Sequence, residues 1–188
     1  MNRFFAPLLL LCLQFFSCSL DYSQAVMTEE MRASIPETVL LGFERLIVQK
    51  GLVVSRLKAD KAENFSEQKK MALERVEFLE YNSKEEVTTQ GRADSAVLYT
   101  ETENVEIFGN ILFYSKEEET SIEAETLFWN KVEETLSANT DELVKVIQDD
   151  GSYMQGWGFQ SDFKLKKIEF TKGASGLYIV EDDEESDE

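Results

Sequence analysis

From residue 37 onward, short apolar runs alternate with polar stretches, and this pattern predicts a series of β-strands. Each run is of strand length and is rich in Val, Ile, Phe, Tyr and Thr, the residues that favour strands. The predicted strands are Val39–Val48, Leu52–Leu57, Val76–Tyr81, Val97–Tyr99, Val105–Tyr114, Ser121–Trp129, Leu143–Ile147, Tyr153–Phe159 and Phe163–Phe170. The fold class that they indicate is all-β.

One segment, Phe65–Glu80, favours a helix by intrinsic propensity, because Glu, Lys, Met, Ala and Leu dominate it. Helix propensity is a weak preference, and tertiary contacts often override it. Because the related segments described next fit strands, we predict a strand here as well.

A seven-residue motif recurs along the chain. Ala59–Phe65 is repeated as Ala93–Tyr99, more loosely as Ala124–Asn130 and faintly as Phe159–Leu165, at offsets of 34, 31 and 35 residues. A polar turn and a second strand follow the first three copies, and Ala opens each of them. Such units predict stacked antiparallel hairpins in a jelly roll or a folded-over open sheet. The alternative is chance similarity. The first two copies, together with the turns that follow both of them, resemble each other more than chance would produce.

The first eighteen residues have the pattern of an export signal. Arg3 supplies a basic start, and the apolar run Phe4–Phe16 is shorter than the roughly 20 residues that span a bilayer. Ser17-Cys18 closes this run and resembles the lipobox of bacterial lipoproteins. Phe15 and Phe16 are bulky for that motif, as in spirochaete-type lipoproteins. The alternative is an ordinary secretory signal with an incidental cysteine.

The chain therefore divides into four predicted parts. Residues 1–17 are a lipoprotein-type signal peptide, 18–36 a lipid anchor at Cys18 and a tether with a short helix at Thr28–Arg32, 37–172 a β domain, and 173–188 an acidic disordered tail. Cys12 would leave with the signal, so Cys18 would be a lone cysteine outside the cytoplasm. An attached lipid would use it.

Composition excludes several classes of function. The 37 acidic side chains against 19 basic ones give a net charge of −18, which argues against binding nucleic acid or anionic headgroups. The chain has no histidine, so His-based acid–base catalysis and the commonest transition-metal ligand are missing. No phosphate-binding glycine loop or nucleophile motif is present. We expect no catalysis, no cofactor and no metal.

Four segments resemble the LptC family of periplasmic lipopolysaccharide-export proteins. Val53–Ala62 resembles its opening strand, and Ile107–Ile111 the apolar-x-Gly-Asn-apolar strand that it shares with OstA/LptA-type domains. Ala124–Trp129 followed by Ser137–Asp141 resembles a third stretch, and Gly156–Phe159 a Gly-x-Gly turn. The resemblance runs from about residue 37 to 170. The lipid anchor, in place of a transmembrane helix, and the acidic tail depart from the family.

The resemblance implies a periplasmic, membrane-anchored component of a lipopolysaccharide or glycolipid export bridge, with the inner membrane favoured. Its implied partners are that lipid, an inner-membrane ABC transporter complex and an LptA-like periplasmic bridge protein. The implied lipid-binding trough comprises Val76, Phe78, Val105, Ile107, Ile111, Phe113, Leu127, Trp129, Val144, Val146 and Trp157. Core packing is the alternative role for each of these residues.

The resemblance also implies two edges that contact partners. The first edge, near Val39–Val48, would meet the transporter. The second would pair with the next bridge protein through Phe163, Leu165 and Ile168. A lipid-free β-scaffold lipoprotein, periplasmic or surface-exposed, is the alternative function, and Cys18 argues against a soluble bridge protein. The many acidic residues suggest a cargo that is less anionic than a phosphate-rich lipid A.

Overall fold

The computed structural model describes residues 33–180. The chain divides into two units, residues 1–34 and 35–188, and all of the described strands lie in the second unit. The predicted tether helix at Thr28–Arg32 and the residues from Glu181 onward lie outside the described part. No helix between residues 33 and 180 has the length and apolar character to cross a membrane.

Residues 35–180 form one antiparallel sheet. Its strands are β1 (Thr38–Gln49), β2 (Leu52–Phe65), β3 (Lys70–Tyr81), β4 (Val87–Tyr99), β5 (Val105–Ser115), β6 (Thr120–Asn130), β7 (Thr135–Ser137), β8 (Leu143–Gln148), β9 (Tyr153–Trp157), β10 (Phe159–Asp162), β11 (Ile168–Phe170) and β12 (Ala174–Leu177). From β1 to β6 each strand pairs with its neighbour in sequence. The predicted all-β class, as a folded-over open sheet, is confirmed.

The second half of the sheet contains broken strands. The C-terminal part of β6 pairs with β7 and its N-terminal part with β8. These two short strands pair in turn with β10 and β9, which pair with β11 and β12. The twelve described strands therefore fill nine positions across the sheet. In that order β1 lies at one edge, and β11 and β12 lie at the other.

Several predicted strand bounds need correction. The strand prediction for the segment with helical propensity is confirmed, since it contains β3, whose ladders to β2 and β4 on both sides outweigh propensity. The predicted strand Phe163–Phe170 is wrong over its first part, since residues 163–167 form a turn and β11 begins at Ile168. Strand β7 contains Leu136, where the second strand after the third copy is predicted to begin, whereas β12 is not predicted and lies inside the segment assigned to the tail.

The repeated motif lies where neighbouring strands depart, side by side, from the usual alternation of inward and outward side chains. Side chains two or four residues apart normally share a face of a strand. Here buried side chains lie three apart, at Ala59 and Ala62 in β2 and at Ala93 and Ala96 in β4. Their partners in β3, Leu73 and Val76, have the same spacing. The third copy follows with half-buried Ala124 and buried Leu127 of β6, but the fourth does not, because its strand ends at Asp162.

Strand β5 takes one more residue at this level, and Gly109 makes that possible. Gly109 and Asn110 both have positive φ, 75° and 47°. A Cβ on Gly109 would lie 2.6 Å from Oδ2 and 3.0 Å from Cβ of Asp94 in β4. Asn110 donates from Nδ2 to the same Asp94 oxygen at 2.6 Å. The Gly-Asn pair thus makes a bulge that packs against the second copy of the motif.

We expect Gly109→Ala to destabilise the domain more than Gly42→Ala. Both glycines have positive φ, 75° and 64°, so both variants lose about 1 kcal/mol from backbone strain. A Cβ on Gly42 meets nothing within 4 Å, whereas one on Gly109 collides with Asp94, which adds roughly 1–2 kcal/mol. Urea unfolding measures the difference. Equal losses would show that the contact with Asp94 is not tight.

The Glu142 carboxylate accepts hydrogen bonds in the gap between β7 and β8. The loop that joins them leaves the middle of β6 without a strand partner on that side. Glu142 Oε1 accepts hydrogen bonds there from the backbone N–H groups of Glu125 (2.6 Å) and Thr126 (2.5 Å). One side chain therefore satisfies two donors that a continuous strand would otherwise have to meet.

Replacing Glu142 by Ala should lower the free energy of unfolding by about 1 kcal/mol, because water can reach these donors in part. Glu142→Gln retains the accepting oxygen and removes the charge, so it should fall between Ala and the native residue. Thermal or urea unfolding of the three proteins tests this order. A Gln variant as unstable as the Ala variant would assign the effect to charge rather than to the two hydrogen bonds.

Candidate functional site: the inner face of the sheet

One face of the sheet collects the apolar residues. We define the inner face as the face that carries Ala59, Val76, Ala93 and Ile111, which are in register across β2 to β5. Register and alternation place ten of the eleven predicted trough residues on it, namely Val76, Phe78, Val105, Ile107, Ile111, Phe113, Leu127, Trp129, Val144 and Val146. The structure therefore gathers the predicted set on one surface.

Trp157 lies on the opposite, outer face, so it was wrongly grouped with the others. It pairs with Leu143, whereas Val144 pairs with Gly156 on the inner face. Its side chain is 44 % exposed. The cause is the shared break in alternation, which in this strand position falls at Gly158, with a φ of 67°. An unbroken strand would have put Trp157 in phase with the buried Phe159.

Burial divides the ten residues that remain. Val76, Ile111, Phe113, Leu127, Val144 and Val146 are buried, and Val144 has no exposed surface. Phe78, Val105, Ile107 and Trp129 are half-buried. The buried group cannot contact a ligand unless the residues that cover it move. Core packing is thus what the structure shows for the buried residues, and the half-buried four line the accessible part of the face.

The inner face has two apolar clusters. The larger one joins β4, β5, β6, β7, β8 and β10 and contains the residues with the least exposure, among them Ile122, Leu136 and Phe159. The smaller one lies on β2, β3 and β4 around Ala59, Ala62 and Leu73. Half-buried Phe43, Leu57 and Met71 pack against the smaller cluster. Its core positions are mostly alanine, whereas those of the larger cluster are bulky.

Phe163 and Leu165, predicted at a partner edge, lie instead over the inner face. The Phe163 ring makes edge contacts with Phe78, Phe113 and Trp129, with centroid distances of 5.5, 5.2 and 4.8 Å. Leu165 is 3 % exposed. Both residues precede β11, so only Ile168 of the three lies in the edge strand, where it is half-buried.

Sequence reasoning missed this segment because its apolar spacing imitates a strand. One signal could have revealed the turn. Asp162 accepts hydrogen bonds from the backbone N–H groups of Lys164 (3.0 Å) and Lys166 (2.9 Å), which is a common role for Asp at the start of a turn.

Both edge regions of the sheet expose large apolar side chains. On β1 these are Val39, Leu40, Leu41, Leu46, Ile47 and Val48. Near the other edge they are Tyr153, Met154 and Leu177, and Tyr178, Ile179 and Val180 follow β12. Within residues 33–180, β1 pairs on one side only, as do β11 and β12. These regions are therefore open to a further strand.

The outer face carries charges of alternating sign. One row in register across β1 to β4 consists of Glu44, Lys58, Glu77 and Arg92. Opposite charges therefore face each other across these strands, and like-charge repulsion between directly opposed side chains is avoided in this row. Tyr99 hydrogen-bonds Glu106 at 3.0 Å, and this bond raises the pKa of the Tyr99 phenol.

Hydrogen bonds between charged groups occur at the shared break as well. The Arg75 guanidinium donates to Asp60, and this bond raises the pKa of Arg75. Lys61 contacts Glu63 at 2.9 Å and Glu74 at 3.0 Å, and these two partners raise the pKa of the Lys61 ammonium group. All of these side chains are accessible to solvent, so they contribute little to stability.

Cys18, the predicted anchor, lies outside the described residues. Between residues 33 and 180, no group of three or more carboxylate or thiol side chains is placed to hold a metal ion. The accessible chemistry of the site is therefore apolar contact along the inner face and backbone pairing at the edges.

Comparisons with known proteins agree with this architecture. The family profile described as "Lipopolysaccharide-assembly, LptC-related" matches residues 7–179. Among solved structures, the fold is similar to LptH of Pseudomonas aeruginosa, the LptA-homologous periplasmic component of its lipopolysaccharide transport device. The TM-score is 0.52 at 14 % identity, over 67 % of this chain and 95 % of that one. No curated protein sequence matches the chain. The profile covers most of the chain, and we conclude that it belongs to the LptC-related family of lipopolysaccharide-assembly proteins.

Proposed function

We propose that this protein is a membrane-anchored periplasmic component of a lipopolysaccharide or glycolipid export bridge, and that its inner face receives acyl chains and passes them on. The observation that carries the proposal is the apolar inner face of an open sheet, in a chain of the LptC-related family. Such a face offers acyl chains a path away from water between two edges.

The half-buried residues supply the contacts in this proposal. Phe78, Val105, Ile107 and Trp129 present apolar surface without being sealed in the core. Burying each CH₂ group of an acyl chain contributes about 0.8 kcal/mol. Neighbouring positions of similar apolar character bind the chain about equally, so it can move along the face while a transporter supplies the driving force. No bond is made or broken in the protein.

The two edges are the proposed contacts with partners. An edge strand with free backbone groups and exposed apolar side chains is suited to strand addition by another β domain. We assign β1 to the inner-membrane ABC transporter complex. We assign β11 and β12 to an LptA-like bridge protein. Of the predicted partner-edge residues, Ile168 alone keeps that role, because Phe163 and Leu165 precede the strand.

Lipid on Cys18 is the proposed anchor, and residues 19–36 are the proposed tether. Together they would hold β1 near the membrane, because the described sheet begins at Thr38. Two or three acyl chains on one cysteine suffice for stable attachment. Family membership favours the inner membrane as its place.

A lipid-free β-scaffold lipoprotein is the second candidate. The observation that favours it is the closed half of the inner face, where Ile122, Leu127 and Val144 are packed with almost no exposed surface. In that case the free edges would bind other proteins, and the half-buried residues would be the margin of a core.

Ile107→Glu should abolish uptake of lipopolysaccharide, because it places a charge on the accessible part of the inner face. Leu112→Glu is the matched control. Leu112 lies in the same strand and is also half-buried, but it points to the outer face between Arg92 and Glu123. Native mass spectrometry of the full chain, titrated with lipopolysaccharide, measures the bound lipid.

Urea unfolding of both variants distinguishes loss of binding from loss of structure. Lipid uptake by Leu112→Glu but not by Ile107→Glu, with both proteins folded, supports the inner face as the site. Equal uptake by the two variants contradicts it. A native chain that neither co-purifies with lipid nor takes it up favours the scaffold.

A further inference from the structure

Residues Phe163–Lys167, which we name the strap, cross the inner face between β10 and β11. The Phe163 ring touches rings from three separate strands, Phe78 of β3, Phe113 of β5 and Trp129 of β6. Leu165 is buried in the larger cluster. The strap therefore lies where the open, alanine-rich part of the face meets its bulky, closed part.

Local hydrogen bonds and the packing of Phe163 and Leu165, rather than a strand ladder, hold the strap in place. Its backbone N–H groups at Lys164 and Lys166 donate to the Asp162 carboxylate, and that of Leu165 donates to the Asp162 carbonyl at 3.2 Å. Leu165 has a φ of 60°, an unfavourable conformation for a residue with a side chain. An exposed ion pair, Lys164 to Glu117 at 3.6 Å, adds little. Because none of these bonds belongs to a strand ladder, displacement of the strap would leave the strand pairing of the sheet intact.

Phe163 occupies the space that an acyl chain would need. Two of the rings that it contacts, Phe78 and Trp129, are half-buried, and the Phe163 ring covers part of the surface that they would otherwise expose. A chain that entered over Phe43, Leu57 and Met71 and moved toward the far edge would meet the Phe163 ring. The ring and an acyl chain are both apolar, so they compete for the same surface.

We propose that Phe163 controls how far an acyl chain can enter the inner face, and that the chain must displace it to pass from the β1–β4 half to the half beyond. The proposal rests on the lipid-carrying function above and defines its accessible site. With the strap closed, the inner face admits lipid over its first half. With the strap displaced, the path continues beneath Trp129.

Trp129 reports directly on this event. The chain has two tryptophans, and Trp157 lies on the outer face, so Trp157→Phe leaves Trp129 as the single tryptophan, which is excited selectively over the tyrosines. The full chain with this change is titrated with lysophosphatidylcholine that carries a brominated acyl chain, below its micelle concentration. Bromine quenches the indole on contact, and the unbrominated lipid corrects for changes of environment.

In this background, Phe163→Ala should lower the half-saturating concentration for quenching roughly tenfold, because it removes the cost of opening a site that is closed in most molecules. Asp162→Ala should act in the same direction and more weakly, since it frees the strap without removing apolar surface. Phe159→Ala is the control. It removes the same ring from the same cluster and leaves the ring contacts of Phe163 intact.

Urea unfolding is measured for each variant, and Asp162→Ala tests the strap alone if Phe163→Ala does not fold. Tighter quenching in the strap variants but not in Phe159→Ala supports the proposal. Equal quenching in the native strap and its variants, or an equal gain in Phe159→Ala, overturns it and leaves the proposed lipid binding standing. No quenching in any folded variant overturns both.

Discussion

The structure depends on a shift in strand alternation that β2, β3 and β4 make together at one level, with a bulge at Gly109 and Asn110 in the neighbouring β5. In a sheet a shift of one residue sends all later side chains to the opposite face. Here Ala59 and Ala62, like Ala93 and Ala96, lie three residues apart and are nevertheless buried on one face, because the neighbouring strands shift with them. If β2, β3 or β4 kept strict alternation, part of its apolar side chains would turn toward solvent. In the sequence, this shift is visible as the repeated motif and as the Gly-Asn pair that forms the bulge of β5.

The shared break keeps one apolar face continuous while the sheet stays open. The face is not uniform along the sheet. Alanines and half-buried side chains line the first half, whereas large residues close the second, and Phe163 lies at the boundary between them. An open sheet leaves unpaired strands at both sides, which is an aggregation hazard unless a partner covers them. In the proposed bridge component, the same openness provides the path for lipid and the contacts with neighbours.

Much of this arrangement could be predicted from residue patterns. Apolar alternation locates most strands, and the recurring Ala-Asp motif predicts stacked hairpins. Ten of the residues predicted for the trough lie on one face, because residues in phase within one strand share a face unless a bulge intervenes. The assignment of Trp157 to the same face is wrong, because the break at Gly158 puts Trp157 out of phase with Phe159. The assignment of Phe163 and Leu165 to an edge strand is wrong. The Asp162 carboxylate stabilises a turn in a segment whose apolar spacing resembles a strand.

The sequence by itself determined the all-β class, the hairpin repeats and membership of the LptC-related family, because these depend on local periodicity and on motifs read along the chain. Only the tertiary structure decided which residues are sealed and which are accessible, where Phe163 lies, and how Glu142 closes the gap between β7 and β8. Those features depend on contacts between residues far apart in sequence. Periodicity measures the phase of a strand, but it contains no information about what covers each face.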